Sequence, residues 1–289
     1  MNILNTLTDI SNIYKDGSFD IHEWEKYINL INPKLYQLCF NDMNESISTG
    51  LVSFEKDYLP ILNNVFIQKE EVNRAIKSFD ILTNGLEREL IKKFNKSVDV
   101  EIVLYLGLCN GAGWVTKVDD KVFCLLGIEK IIELNWQGLN EFRGLLYHEL
   151  GHVFHNQYGV LERKFEGNKD TFLWQLFTEG VAMYFEQMLF GDFEYFHQDC
   201  NGWKLWCEDN LNQIKIDFYN DLNSMTFENQ RYFGDWVKYY SHSDVGYFLA
   251  AKFIRFVCKK YSFDKILIFD IDKVSDLYIE FVEQSKFKF

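Results

Sequence analysis

Residues 147–155 read Tyr-His-Glu-Leu-Gly-His-Val-Phe-His. On a helix, residues four apart stand about 40° apart on one face, one turn up. Imidazoles at His148 and His152 can therefore ligate one ion. Glu149 projects about 100° away, within reach of a water on that ion without being a ligand itself. Zinc lowers the pKa of such a water to about 7, where a carboxylate can take its proton. Roughly one chain in a hundred of this composition would carry the bare His-Glu-x-x-His pattern by chance. The flanks make it more specific: Leu145, Leu146, Leu150, Val153 and Phe154 have helical spacing, so the pattern falls on an amphipathic helix.

A catalytic zinc takes three protein ligands and keeps one position for water. One known arrangement places a Gly three residues after the second His and a third His three further on. Those positions here are His155 and Tyr158, so it is absent, and so is the inverted form. A Glu on a following helix remains. Glu179 is the candidate, in Thr178-Glu-Gly-Val-Ala-Met-Tyr-Phe185, 27 residues past His152. Phe172, Leu176 and Met183 share its helical row, and a carboxylate at the rim of an apolar stripe is costly unless paired or metal-bound. Gly180 permits close helix approach, and Glu186, seven residues later, is the alternative ligand.

The elements that must position these residues follow from periodicity. Residues 1–97 read as a helical region. Asp20 with Glu23 makes a capping pair, and helical spacing runs from Glu70 to Phe94 with Gly85 interrupting it. From Val98 the character changes. Val100–Gly107 is β-rich, Asn110-Gly-Ala-Gly113 reads as a tight turn, and Val122–Ile128 reads as a second strand, which predicts a small antiparallel sheet. Helices follow over about 139–158, 171–189 and 244–261, with a polar, aromatic-rich stretch over 192–240. Phe263–Phe281 reads equally as strand or helix. The expectation is an α+β, mostly helical protein: an N-terminal region over 1–97, then 98–289 as the domain bearing the motif, with a C-terminal helical lobe.

The His148-Glu-Leu-Gly-His152 run followed by Thr178-Glu179-Gly-Val-Ala182-Met-Tyr184 resembles the gluzincins, the thermolysin-like zinc metallopeptidases. It is similar in particular to bacterial predicted zinc-dependent proteases with Glu-Gly-x-Ala on the second helix. The resemblance covers roughly residues 100–260. It implies a zincin-like core, Zn2+ held by His148, His152 and Glu179, and Glu149 as general base. It also implies an edge strand beside the site on which a peptide lies extended, for which 120–128 or 100–107 are the candidates. The aminopeptidase branch carries an upstream Gly-x-Met-Glu-Asn box. The nearest segment here, Gly107-Leu-Cys-Asn110-Gly-Ala-Gly113-Trp, has no acid. Small repressor-cleaving proteases share His-Glu-Leu-Gly-His, but their second helix usually has Asn after the alanine, where Met183 stands here.

The same resemblance implies a further donor to the developing oxyanion, a His in thermolysin-like enzymes and a Tyr in aminopeptidase-like ones. His242 has the matching spacing to Gly246 ahead of a strong helix, with Asp244 able to orient it. Tyr240 and Tyr247 are its rivals. The plainer reading makes His242 a loop residue at a helix start, with Ser243 and Asp244 as caps. His155 falls to a supporting or surface position, and His22 and His197 have no partner pattern. Glu208, Asp209, Asp217 and Asp221 read as a solvated acidic face, because calcium-loop spacing is absent.

Composition sets the outer bounds. The chain has 289 residues, 47% hydrophobic and 25% charged, which excludes wholesale disorder. The net charge of −13 repels nucleic acid and anionic lipid, so neither is expected as a partner. None of the six cysteines forms a C-x2-C pair, so a cysteine zinc site is not indicated and reduced thiols are expected. Met1–Tyr14 lacks a signal-type apolar stretch, no segment approaches the ~20 apolar residues of a membrane span, and a cytoplasmic location is expected. The functional expectation is a zinc metallopeptidase acting on a peptide or protein substrate. The alternatives are a non-catalytic zinc- or partner-binding module of the same shape and a same-fold hydrolase of non-peptide substrates. Nothing in the sequence speaks to oligomeric state.

Overall fold

A computed structural model of the chain describes residues 1–284. It divides into two compact units, Met1–Glu149 and Leu150–Phe289. The first contains β1 (Asn2–Asn5), β2 (Tyr14–Lys15), β3 (Ser18–Phe19), α1 (Ile21–Ile31), α2 (Pro33–Ser48), α3 (Leu59–Ile67), α4 (Lys69–Thr83) and α5 (Leu86–Phe94). After these come β4 (Glu101–Tyr105), β5 (Gly113–Val118), β6 (Lys121–Gly127) and α6 (Ile128–Glu133). Helix α7 (Leu139–Tyr158) carries the boundary between the units. The second unit holds α8 (Asn168–Phe190), α9 (Trp203–Asp221), α10 (Val245–Val257), α11 (Phe263–Ile266) and α12 (Ile271–Glu283). The protein is mostly helical with a small sheet, an α+β arrangement. No helix among the described residues is long and apolar enough to cross a membrane.

Local chemistry explains the helix boundaries of the first unit. Asp20 caps α1 by accepting the backbone N–H groups of His22 (2.9 Å) and Glu23 (3.2 Å). Glu23 does not close a reciprocal box; its carboxylate is taken by Lys15 and Lys26 instead. Pro33 opens α2 with its φ already helical, behind an Asn32 cap. Gly85, at φ +84°, separates α4 from α5, where a side chain would be strained.

The sheet corrects the expectation of a small antiparallel pair. It is mixed, in the order β1-β4-β6-β5. The two segments read as antiparallel strands, β4 and β6, are parallel neighbours, because the chain between them forms a strand of its own. β5 is antiparallel to β6, through a two-residue turn with Asp119 at φ +55°. β1 lies parallel to β4 on the other side, so the region read as wholly helical contributes an edge strand, and β2 and β3 form a separate antiparallel pair. β4 is flanked on both sides and fully buried from Ile102 to Tyr105, which explains its unbroken apolar run. Trp24 of α1 donates from Nε1 to the Leu106 carbonyl (2.8 Å), and Tyr27 Oη accepts the Leu106 N–H (3.0 Å), tying that helix to the end of β4.

In the second unit α8 and α10 form the main pair. A Cβ at Gly180 would lie 2.5 Å from the Ala250 carbonyl oxygen, so only glycine lets these backbones approach so closely. The segment left open between strand and helix is helical: α11 and α12, the latter capped by Asp270. Its apolar positions Val274, Leu277, Tyr278 and Phe281 are buried, which decides the ambiguity by a helical period.

Candidate metal centre

The helix holding the motif runs Leu139–Tyr158, matching the apolar spacing. His148 and Glu149 are buried, whereas the side chains of His152 and Glu179 are 14% and 16% exposed, so the cluster opens on that side. His148, His152 and Glu179 each offer a ligand atom, and these atoms all lie within 4.8 Å of one another. No other group of three or more His, Cys, Asp or Glu among the described residues does so. His152 Nε2 stands 3.3 Å from Glu179 Oε2. A tetrahedral ion with bonds of about 2.0–2.1 Å spaces neighbouring donors by about 3.3–3.4 Å. The pair therefore has the spacing of two corners of one coordination sphere. Two imidazoles and one carboxylate are also the donor set of a catalytic zinc with a position left open.

Two glycines shape this geometry. A Cβ at Gly151 would fall 2.7 Å from Ala182 Cα and 3.0 Å from the Ala182 carbonyl oxygen. Gly151 and Ala182 let α7 and α8 touch backbone to backbone, one residue before His152 and three after Glu179. Gly180, read as the source of this approach, packs against α10 instead. The second glycine is Gly113, the first residue of β5. A Cβ there would lie 2.6 Å from both Cγ and Oε1 of Glu149, so a strand end free of side chain backs that carboxylate. Both strand segments proposed as the edge beside the site are corrected: 101–105 and 121–127 are interior strands, and the edge next to Glu149 is β5.

The loop leading into β5 is clamped by a residue that no motif singles out. Glu129, buried at the start of α6, accepts the N–H groups of Gly107 (2.9 Å) and Cys109 (3.0 Å). Burial pushes its carboxyl up to about 7, with the backbone donors pulling the other way. Its only outward signal is an acid, next to Lys130, inside the otherwise apolar Gly127–Ile132 run. Cys124 of β6 has its thiol held well above the ordinary range by burial, with the Glu149 charge adding to it.

The remaining candidates occupy different surroundings. His155 is fully buried and not on the surface. Its Nε2 lies 3.2 Å from the Leu267 carbonyl and its ring packs edge-on to Phe177. Burial pushes its pKa down to about 3. Glu186, the alternative ligand, is fully buried and its Oε1 lies 3.0 Å from His197 Nδ1, so His197 has a partner after all. His242 stacks on Trp206 with centroids 3.9 Å apart, and its Nδ1 lies 3.0 Å from the Tyr240 carbonyl. Asp244 does not orient it, accepting the Gly234 N–H at 3.1 Å instead, and supplies no side-chain cap to α10. Tyr240 is exposed on an edge-to-face contact with Tyr239, and Tyr247 packs edge-on to Phe233. The structure thus gathers His148, His152 and Glu179, while the hydrogen bonds and ring contacts of His242 and Tyr240 are to each other, Tyr239 and Trp206.

Comparison with known proteins finds no matching family model, no matching curated protein and no matching solved structure, so the reading of this centre rests on its own chemistry.

Proposed function

We propose that the protein is a zinc-dependent peptidase of gluzincin type. The observation that carries the reading is the convergence of the His148, His152 and Glu179 ligand atoms within 4.8 Å, the His152–Glu179 pair at tetrahedral-edge spacing, with the Glu149 carboxylate next in sequence to the first ligand. A zinc ion held by those three side chains would supply Lewis-acid polarisation of a water and of a peptide carbonyl. Glu149 then takes a proton from the attacking water and delivers it to the departing amine, the role a structural metal site would not require. Gly113 leaves room around that carboxylate. The outer edge of β5 offers backbone N–H and C=O groups along which an extended peptide can add as a further strand. Six free cysteines agree with a reducing, cytoplasmic setting.

The test is a zinc titration of the full chain against a chromophoric chelator. One zinc per chain is expected, with His148→Ala, His152→Ala and Glu179→Ala each weakening it at least tenfold. Zinc bound equally well by all three variants would end the assignment.

A further inference from the structure

The C-terminal unit also holds a cavity that none of the three metal-ligand candidates lines. It measures about 500 Å³ and lies among α8, α9, α10 and α12, a size suited to a small ligand. Its floor is apolar: Phe193, Leu211, Phe256 and Phe281. Three cations, Lys252, Arg255 and Lys259, line it against a single carboxylate, Glu194. That balance is the reverse of the whole chain, which carries −13.

Glu194 shows what the cations select. It belongs to the segment after α8, and its carboxylate is shared by Arg255 and by Lys252 at 3.0 Å, with Lys204 at 3.7 Å. Arg255 also donates to the Phe193 carbonyl at 3.1 Å, so the guanidinium is oriented by the same segment. Lys252 stands 4.9 Å over the Phe248 ring, held in place beside apolar surface. A carboxylate thus already occupies the cationic end of the cavity, while Glu194 brings no apolar group of its own to the Leu211–Phe281 floor.

We propose that this cavity binds an unbranched acyl carboxylate, with its headgroup replacing Glu194 on Lys252 and Arg255 and its chain covering the aromatic floor. A small inorganic anion would gain the charge contacts and leave the floor wet; a neutral hydrocarbon would leave the cations to Glu194. Each methylene buried on the floor should tighten binding roughly fourfold until the cavity is filled. Glu194 is the built-in competitor, so its removal should favour the ligand. The proposal is independent of the metal centre, and its readout is binding.

The experiment is calorimetric titration of the full chain with butanoate, octanoate and dodecanoate below micelle formation, and with dodecanol. The expected result is one saturable dodecanoate site, affinity rising with chain length, and dodecanol at least tenfold weaker. Glu194→Gln should tighten dodecanoate several-fold, and Arg255→Gln and the exposed Lys259→Glu should weaken it, Lys259→Glu serving if Arg255→Gln does not fold. No saturable binding to either wild type or Glu194→Gln would overturn the proposal. So would dodecanol binding as tightly as dodecanoate, or affinity unchanged in Lys259→Glu and Glu194→Gln alike.

Discussion

Gly151 of α7 stands directly on Ala182 of α8, so close that a Cβ at 151 would lie 2.7 Å from the Ala182 Cα. This contact sets the separation of the helices that carry His152 and Glu179, whose ligand atoms are 3.3 Å apart. The pattern tolerates any residue at position 151 for its own chemistry; the glycine is demanded by the neighbouring helix.

Gly151→Ala should therefore act on both stability and metal. The added methyl meets backbone, which cannot move aside as a side-chain tip can, and overpacking of this kind typically costs about 1–3 kcal/mol. Thermal melts should show the loss, and zinc titration should show affinity at least tenfold weaker. Wild-type zinc affinity in a folded Gly151→Ala protein would detach the helix contact from the ligand geometry.

Glu179 and Glu186 should separate cleanly. Glu179→Gln is expected to lower zinc affinity by an order of magnitude or more with little change in unfolding. Glu186→Gln should leave zinc in place and lower stability by about 1–3 kcal/mol, since the Glu186 carboxylate is the buried partner of His197. Parallel zinc titrations and urea melts check both; the opposite pattern would transfer the ligand role to Glu186.

Gly113→Val should spare the metal and remove hydrolysis. A side chain there enters the space of the Glu149 carboxylate, and displacing a general base typically costs ~10²–10⁴-fold. Zinc content near one per chain with activity lost is the expected outcome, measured on any peptide the wild type cleaves.

Glu129 should make stability depend on pH. Its carboxyl is held at about 7 in the folded protein, against an ordinary value of about 4.3. Between those values the folded state keeps a proton that the unfolded state releases, so stability falls as pH rises through the window. Complete expression of that shift would be on the order of 3 kcal/mol. Glu129→Gln cannot titrate, so the wild-type stability minus that of Glu129→Gln should decline from pH 4.5 to pH 7 in urea melts. A flat difference would mean that Glu129 does not change charge there.

The parts of this protein that were legible in the sequence are those governed by short-range periodicity. The apolar positions around His148 and His152 placed α7, and the row Phe172–Leu176–Met183 placed Glu179 on α8. The sheet was not legible, because β5 carries only a half-buried, weakly patterned Gly113–Val118 and its presence reverses the relation of β4 to β6. β1 has four residues and finds its partner across the whole α1–α5 region. The polar core was hidden for a related reason: Glu129 and His155 meet backbone groups far along the chain, such as the Leu267 carbonyl, and Glu186 and His197 pair across the end of α8.

The most direct measurement of the central claim is digestion of a peptide library by the zinc-loaded chain beside Glu149→Gln loaded to the same zinc content. The amide at 149 can still fill the space beside Gly113 but cannot accept a proton. Cleavage by the wild type that a chelator abolishes, and that falls at least 10²-fold in Glu149→Gln, is the result the account predicts. Equal cleavage by the two proteins, or no cleavage by a wild type carrying one zinc per chain, would contradict it.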